Sequence, residues 1–396
     1  MSMIENEYDV VIAGVGPAGS SVALNVAKMG FKVLAAEKRQ EIGSPKRCGE
    51  GLSKSALERM GIELDEKWVC NTIWGATVYA PNGRFVRIDY KGPEGWIIER
   101  KIFDKELAKK AARTGAKIVA KTDVLGVERK GKFLNVKLKT REEIIDVKTK
   151  ILVAADGVES KVPRMLGMDT TLKLIDIASA VQFEMANVDV DSKRIEIYFG
   201  NETAPGGYVW IFPKGKDTAN VGIGVRKPFA RLTAYEYLKR FVEGRKNLKD
   251  GSIIEVNTGG VPVGGLMKNM VLNNFLVVGD AAHQVNPIHG GGIAEAYVAG
   301  KIAGNVIVKA LEDEDYSAKK LSLYNKIWWD ERGKKLEKIL KLRHVVEKLK
   351  DEDLNWLVDY LRGEDLVALA EASGMEKLKF ILMKKPKLIS LARKLF

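Results

Sequence analysis

The 396-residue sequence predicts a mixed α/β fold with α+β character. We expect a domain built on a parallel β-sheet, an inserted antiparallel β-sheet domain and a helical C-terminal region. Three observations predict it: a strand, glycine turn, helix and strand follow one another near the start, apolar and polar residues alternate through the middle, and a strand, loop and long helix return near residue 275. The length is typical of two or three domains.

The first element is a βαβ unit in YDVVIAGVGPAGSSVALNVAKMGFKVLAAEKR, where small residues at helical spacing separate two apolar strands. Its turn has the pattern G-x-G-x-x-G. Gly14 permits the tight turn, Gly16 lets the backbone approach a pyrophosphate, and Gly19 lets the helix pack closely on the strand. Glu37 ends the second strand, where a carboxylate can bind ribose hydroxyls. These residues predict a Rossmann-like dinucleotide-binding domain.

The following elements are an amphipathic helix in KIFDKELAKKAARTG, a strand, and a meander that ends in the apolar run ILVAAD. Alternation in RIEIYFG and GYVWIFPKGKDTANVGIGV predicts an antiparallel sheet between about Thr170 and Gly265. FLVVGDAAHQVNP then predicts a strand and loop that lead into a long helix of small residues. From about Ser317 the chain is helical and basic.

Two later turns repeat the nucleotide-binding signal. Asp156-Gly157 follows the strand ILVAA, and Gly279-Asp280 follows FLVV, which places a carboxylate at the end of each strand. A nicotinamide dehydrogenase would complete its site within one continuous domain. The second phosphate-and-ribose signature, more than two hundred residues further on, therefore favours a larger dinucleotide cofactor.

Composition restricts the compartment and the partners. The two cysteines cannot build a disulfide framework, MSMIENEYDV has neither a basic leader nor an apolar signal core, and no uncharged apolar run approaches the ~18 residues of a membrane span. We expect a cytoplasmic protein. A net charge of +13 favours nucleotide cofactors or acidic lipid headgroups, or reflects a lysine-rich soluble surface. Nucleic acid is not expected, because aromatic residues are not interleaved with basic clusters.

The three turns, in this order, resemble the flavoprotein superfamily typified by para-hydroxybenzoate hydroxylase, from Tyr8 to about Leu311. Within it, RCGEGLS and GGYVWIFPKG are similar to motifs of the geranylgeranyl reductase family. The resemblance implies FAD as cofactor. It also implies an FAD-binding domain at 1–166 and 268–312, a substrate domain for the prenyl chain at 167–267, and a C-terminal helical region at 313–396.

The resemblance assigns a cofactor contact to individual residues. It places Ala18 on the pyrophosphate, Glu37 on the adenosine ribose and Asp280 on the ribityl and phosphate region. Val124 meets the adenine through its backbone. The residues expected at the flavin are Cys48, Gly49, Gly51 and Arg100, with Gly292 and Ile293 at the isoalloxazine edge.

The implied activity is FAD-dependent reduction of the isoprenoid double bonds of geranylgeranyl chains in archaeal membrane lipid biosynthesis. An external donor must reduce the flavin, and a nicotinamide, a deazaflavin or a ferredoxin would each serve. Two alternatives stay open: an aromatic hydroxylase of the same superfamily, and a non-catalytic flavin- or lipid-binding membrane protein.

Cys48 is the candidate proton donor, because hydride transfer to an isolated double bond also requires a proton. Lys46 and Arg47 would lower the pKa of its thiol, whereas apolar burial would raise it. The alternative for Cys48 is a small apolar filler beside a glycine turn. Cys70 has no comparable setting, and we expect it in the core.

Tyr208, Trp210 and Phe212 alternate along a predicted strand, so their side chains share one face. They form either an aromatic wall of a prenyl tunnel or part of the sheet core. His283 and His289 have no further ligands nearby, so no metal site is predicted. The tail MEKLKFILMKKPKLISLARKLF is either a helical cap or an interfacial segment. With a polyprenyl substrate, we expect peripheral association with the cytoplasmic face of the membrane.

Overall fold

The computed structural model describes residues 4–395, so Met1–Met3 and Phe396, the last residue of the tail segment, lie outside the described residues. The β-strands are, in chain order, β1 (Glu7–Ala13), β2 (Val33–Ala36), β3 (Gly51–Ser53), β4 (Val69–Ile73), β5 (Gly75–Tyr79), β6 (Phe85–Asp89), β7 (Gly95–Ile98), β8 (Lys117–Val119), β9 (Asp123–Lys130), β10 (Phe133–Lys139), β11 (Ile144–Ala154), β12 (Ile177–Ala186), β13 (Arg194–Tyr198), β14 (Tyr208–Pro213), β15 (Thr218–Val225), β16 (Ser252–Pro262), β17 (Val271–Leu272) and β18 (Phe275–Val277).

The α-helices are α1 (Pro17–Ala27), α2 (Lys54–Met60), α3 (Arg100–Arg113), α4 (Lys161–Met165), α5 (Ala234–Glu243), α6 (Ile293–Glu312), α7 (Ala318–Leu321), α8 (Leu323–Trp328), α9 (Lys334–Val346), α10 (Asp351–Leu357), α11 (Gly363–Ala370), α12 (Met375–Met383) and α13 (Ile389–Ala392).

The first sheet carries the nucleotide-binding turns. Its order is β17-β18-β11-β1-β2-β8, and β9 and β10 extend from β11 as a hairpin. β1 pairs in parallel with both β11 and β2, and β11 pairs in parallel with β18. The carboxyl ends of these strands therefore meet at one edge, although the strands are far apart in the sequence. This architecture confirms the predicted mixed α/β fold.

Helices α1 and α6 cover this sheet in close contact. A side chain at Gly300 of α6 would place its Cβ 2.4 Å from the carbonyl oxygen of Ala18. At Gly304 the Cβ would lie 2.7 Å from the Cβ of Asn25. The small residues that marked both helices in the sequence are thus required by the distance between the two backbones.

The second sheet has the order β16-β12-β15-β14-β13-β5-β6 and is antiparallel except where β5 runs parallel to β13. β5 and β6 belong to residues 75–89, which the sequence analysis assigned to the FAD-binding domain. The hairpin turns at Gly83, with φ +82°. The sequence around Gly83 indicates a hairpin, but nothing local indicates that β5 pairs with β13. The domain boundary drawn from the sequence therefore differs from the sheet because this pairing is long-range.

The C-terminal helices pack into a core of their own. Leu342, Leu357, Leu378, Leu382 and Leu388 are buried in this cluster. The tail segment thus packs as a helical cap, although α12 leaves some apolar side chains exposed. Helix α11 lies against β6, at the edge of the second sheet. None of the helices in residues 4–395 combines the length and apolarity needed to cross a bilayer.

Candidate functional site

The glycine turn after β1 leaves open space beside the start of α1. Gly14 has φ +99°, and a Cβ there would lie 2.3 Å from the carbonyl oxygen of Ala155. A Cβ on Gly19 would lie 2.0 Å from the carbonyl oxygen of Gly14. By contrast, nothing lies within 4 Å of a Cβ on Gly16. Pro17 begins α1, so the free N–H groups of its first turn face this space.

Glu37 closes the turn from the end of β2. Its carboxylate accepts hydrogen bonds from the backbone N–H of Val15 at 3.1 Å and of Arg39 at 3.0 Å. Val124, on β9, is buried and lines the same cavity as Glu37. A carboxylate and a strand backbone therefore flank the position where an adenosine would lie.

The two later turns follow β11 and β18, which lie on the other side of β1 from β2 and Glu37. Asp280 is in a short 3₁₀ turn after β18, and burial raises the pKa of its carboxyl while the charge of Arg100 opposes this shift. A Cβ on Gly292 would lie 3.1 Å from Asp280 Oδ1, and Ile293 begins α6 directly afterwards. Asp156 accepts from the backbone N–H of Val162 at 2.9 Å through Oδ2.

A continuous cavity of about 1030 Å³ joins these turns to the second sheet and the C-terminal helices. Every residue that the sequence analysis assigned to cofactor or substrate lines it except Gly19, which packs beneath the turn. The residues fit FAD: Asp156 Oδ1 and Gln182 Nε2 are buried without a partner in the part of the chain described, and both residues line this cavity.

The thiol of Cys48 lies in the loop before β3. Its Sγ accepts a hydrogen bond from the backbone N–H of Glu50 at 3.2 Å. Burial raises the pKa of the Cys48 thiol, and the nearby positive charge of Arg100 only partly offsets this effect. Arg100 is held by two hydrogen bonds of 2.8 Å to Asp104, one turn further along α3.

The two basic neighbours of Cys48 are both engaged in ion pairs. Lys46 turns into a buried cluster and pairs with Glu184, and Arg47 pairs with Glu159 at 2.9 Å. Their charges are neutralised by partners far along the chain. Of the two opposing effects that the sequence left open, burial therefore decides the direction of the pKa shift of the Cys48 thiol.

The buried ionic cluster beside this loop was not foreseen. Glu50 is fully buried, has φ +70°, and accepts hydrogen bonds from the backbone N–H of Arg100 and from the Asn220 amide, both at 2.8 Å. Its Oε2 also lies 3.2 Å from Lys46 Nζ and 3.3 Å from Lys214 Nζ. Glu50 thus joins the cysteine loop to α3 and to the second sheet.

Lys214 extends the cluster at the end of the aromatic strand β14. Its Nζ donates to Glu99 at 2.8 Å and to Glu184 at 3.0 Å. Burial opposes the charged form, yet the carboxylates raise the pKa of Lys214 above its ordinary value. The carboxylates of Glu50, Glu99 and Glu184 are close enough together to ligate a metal. Lysine ammonium groups already lie among them and neutralise their charge.

Tyr208, Trp210 and Phe212 of β14 line the cavity, while Val209 and Ile211 on the opposite face pack in the core. These three aromatic residues, which we call the aromatic wall, therefore form part of the cavity surface.

The aromatic wall is held by specific contacts. Trp210 Nε1 donates to Gln182 Oε1 at 2.9 Å, and the Tyr208 hydroxyl donates to the carbonyl oxygen of His289 at 2.6 Å. A Cβ on Gly222 would lie only 2.2 Å from Trp210 Cζ2, so this glycine makes room for the indole. A Cβ on Gly49 would lie 3.0 Å from Phe212 Cε2. The wall consequently lies directly against the cysteine loop.

The histidines stabilise turns. His283 Nδ1 lies 2.6 Å from the carbonyl oxygen of Gly265, and His289 Nδ1 accepts from the backbone N–H of Gly291 at 3.1 Å. The side chain of His289 is exposed and lines the cavity. Cys70 is exposed, and its expected place in the core is wrong. Cys70 lies on β4, an edge strand of the small sheet β3-β7-β4. This strand pairs with β7 on one side, and its other side is the edge of the sheet.

Comparison with solved structures identifies the class. A geranylgeranyl bacteriochlorophyll reductase-like protein from Thermoplasma acidophilum superposes with a TM-score of 0.91 at 37% identity, over 99% of this chain and 100% of that chain. The p-nitrophenol 4-monooxygenase of Pseudomonas putida shares the fold, with a TM-score of 0.71 at 18% identity over 97% and 99% of the two chains. Together with the site, this fold defines an FAD-dependent oxidoreductase.

Sequence comparison identifies the family. Residues 176–261 match the geranylgeranyl reductase catalytic domain. A digeranylgeranylglycerophospholipid reductase of Methanocaldococcus jannaschii is 42% identical over 98% of both chains. A protein of the same name from Methanosarcina acetivorans is 43% identical over 90% of this chain and 88% of its own. The chain belongs to the digeranylgeranylglycerophospholipid reductase family.

Proposed function

We propose that this protein reduces the isoprenoid double bonds of geranylgeranyl chains on a glycerophospholipid, a step of archaeal membrane lipid biosynthesis. The observation that carries the proposal is the continuity of one cavity from the glycine turn, past Cys48 and the aromatic wall, to the apolar C-terminal helices. A long apolar chain in this cavity can lie beside a bound dinucleotide. The names of the full-length relatives support the same substrate.

The residues that would hold FAD follow from their positions in the cavity. Gly14, Gly16 and Ala18 would bind the pyrophosphate at the start of α1, and Glu37 and Val124 would flank the adenosine. Asp280 would lie on the ribityl and phosphate region. The residues proposed around the flavin ring are Cys48, Gly49, Gly51, Arg100, Gly292 and Ile293. When bound and reduced, FAD supplies the hydride.

The chain's own residues would supply the proton and the dry environment. Because burial raises the pKa of Cys48, its thiol keeps a proton at Sγ near neutral pH, as a proton donor must. Trp210 and Phe212 would exclude water and stabilise positive charge that develops on the alkene, through their ring faces. The hydrogen bond from Trp210 to Gln182 would keep the indole in place.

Anaerobic incubation of chemically reduced holoenzyme with an unsaturated digeranylgeranyl phospholipid tests the activity. Mass spectrometry should show the gain of two hydrogen atoms per double bond as the flavin is reoxidised. Cys48→Ser should bind FAD but turn over slowly, whereas Cys70→Ser, at an exposed position, should match the wild type. A hydroxylated product would favour the hydroxylase alternative, and absence of any product would favour a binding protein.

An external reductant is also part of the proposal, because the reaction consumes reduced flavin. A nicotinamide, a reduced deazaflavin and a reduced ferredoxin can each be added anaerobically to the oxidised holoenzyme. The physiological class should bleach the flavin absorbance during sustained lipid reduction. If a donor bleaches the flavin without sustaining turnover, it is not the physiological donor.

We further propose that the protein associates peripherally with the cytoplasmic face of the membrane. Moving a ~20-carbon chain through water would cost over ~10 kcal/mol at about 0.8 kcal/mol per CH₂, so the enzyme should meet its substrate at the bilayer. Phe380 and Met383 on α12 are 65% and 46% exposed, and Lys384 Nζ lies 5.1 Å from the Phe380 ring centroid. Apolar and basic groups together suit an anionic lipid surface.

Flotation with anionic liposomes at low salt tests this association. The wild type should float, and a Phe380→Ser, Met383→Ser double variant should remain largely unbound. Leu174→Ser is the control, since Leu174 is 70% exposed but lies outside α12. Equal flotation of all three proteins would exclude α12 as the contact surface.

A further inference from the structure

The cavity is not apolar throughout. The wall formed by the C-terminal helices carries leucines such as Leu342, Leu354 and Leu357. Around α2 and the turn that leads into α9, the lining instead includes Arg59, Arg332 and Lys335. The cavity is therefore amphipathic, with a long apolar part and a basic corner.

Two of the three cations in this corner already have carboxylate partners. Arg332 makes two hydrogen bonds to Glu295, one of them 2.8 Å long. Lys335 Nζ lies 3.8 Å from Glu371 Oε2. Glu295 and Glu371 also line the cavity. These three cations and two carboxylates leave one positive charge in excess.

The excess charge is on Arg59. Its guanidinium donates to the Ser55 hydroxyl at 3.3 Å, and within residues 4–395 no carboxylate forms an ion pair with it. The Arg59 side chain is exposed at the cavity, and the positive charge of Arg332 lies close enough to act on it. An anion would therefore meet an unpaired guanidinium here, and the cavity that Arg59 lines is large enough to hold one.

We propose that Arg59, with Arg332 and Lys335 behind it, binds the phosphate of the substrate lipid. This inference rests on the proposed function and adds the headgroup chemistry to it. A planar guanidinium binds phosphate oxygens through two parallel hydrogen bonds, which a neutral glycerol headgroup cannot reproduce. The prenyl chains of the same molecule would then occupy the apolar part of the cavity.

The position of Arg59 suits the reaction. Helix α2 packs against α6, and Leu57 of α2 shares a core cluster with Ile293 and Tyr297 of α6. Ile293 is the residue proposed at the isoalloxazine edge. A phosphate on Arg59 would therefore hold the headgroup end of the chain near the flavin, so that the double bonds closest to the headgroup can reach the hydride.

The test compares two lipids on the FAD-loaded full-length protein. Digeranylgeranylglyceryl phosphate carries the anion, and digeranylgeranylglycerol has the same chains without it. Arg59→Gln should raise KM for the phosphorylated lipid about 10- to 100-fold, as expected for loss of a charge-assisted contact, and leave KM for the neutral lipid unchanged. Arg59→Lys should recover part of the loss. Arg113→Gln, an exposed arginine of α3, is the matched control.

A binding measurement separates this inference from the proposed function. Titration of oxidised holoenzyme with each lipid, followed by flavin fluorescence, needs no turnover. If the wild type reduces neither lipid but binds the phosphorylated one more tightly and Arg59→Gln abolishes the difference, the proposed function fails and the phosphate site stands. If Arg59→Gln weakens both lipids equally, or neither, the phosphate site is overturned.

Inorganic phosphate distinguishes the two sources of this anion. If the site serves the lipid, inorganic phosphate should compete with the phosphorylated lipid in the wild type and have no effect on the neutral lipid or on Arg59→Gln. If it inhibits reduction of both lipids equally, the site takes free phosphate, and the assignment to the lipid headgroup is wrong.

Discussion

Replacing Glu50 with glutamine should destabilise the protein by about 3 kcal/mol. Glu50 is fully buried, and its carboxylate lies 3.2 Å from Lys46 Nζ and 3.3 Å from Lys214 Nζ. Glutamine keeps the shape of the side chain and can still accept the hydrogen bond from the backbone N–H of Arg100. Its amide N–H groups, however, would face the two ammonium groups and the donor amide of Asn220.

The magnitude follows from the cost of breaking a buried ion pair, which is about 3–5 kcal/mol when one charge is left uncompensated. Here Glu184 and Glu99 still contact the lysines, which places the expected value at the lower end. An exposed pair offers the contrast. Glu5 is 61% exposed where it pairs with Lys32, so Glu5→Gln should cost less than about 0.5 kcal/mol.

Urea unfolding followed by tryptophan fluorescence, with retention of FAD as a second probe, measures the difference. At a slope of about 3 kcal/mol per molar urea, Glu50→Gln should lower the midpoint by about 1 M, and Glu5→Gln should leave it almost unchanged. The cysteine loop should also become less ordered, so the variant should lose FAD at lower urea. Equal midpoints for the two variants would refute the stabilising role assigned to the buried cluster.

Two further outcomes are expected. Gly222→Ala would place a Cβ 2.2 Å from Trp210 Cζ2, so it should lower the free energy of unfolding by about 1–3 kcal/mol and remove most of the lipid reduction. Gly224→Ala is the control, because nothing lies within 4 Å of a Cβ there and its stability in urea should be unchanged. Equal stability of the two variants would contradict this packing. Burial raises the pKa of the Cys48 thiol, so its alkylation, mapped by peptide mass spectrometry, should accelerate only at a pH above the pKa of a free thiol. Fast alkylation near neutral pH would show instead that Cys48 is a thiolate.

Features with a local signal were predictable from the sequence. The glycine turn, Glu37 and Asp280 each follow a strand. A glycine or an acidic residue directly after a strand predicts a nucleotide-binding edge of a parallel sheet, and this signal does not depend on distant parts of the sequence. Trp210 could be placed on a face by simple alternation. The cavity is lined by Gly14, Gly16, Glu37, Asp280 and Trp210, as their local patterns indicated.

Features that depend on distant pairing were not predictable in this way. Lys46 and Glu184 are 138 positions apart in the sequence, and they meet where the loop before β3 packs against β12 of the second sheet. The same limit applies to β5 and β6, whose hairpin gives no sign of the sheet it joins. Cys70 was misplaced because alternation does not tell which strand of a small sheet is at its edge.

The parallel pairing of β5 with β13 has a consequence for how the polypeptide is made. Residues 75–79 leave the ribosome long before residues 194–198. The β5–β6 hairpin therefore cannot pair with β13 until more than a hundred further residues have been translated. A fragment that contains only the matched catalytic segment, residues 176–261, would lack β5, so the backbone groups of β13 that pair with β5 would be exposed and unpaired. Such a fragment should self-associate when expressed alone, and adding back the early hairpin in a circularly permuted gene should restore solubility.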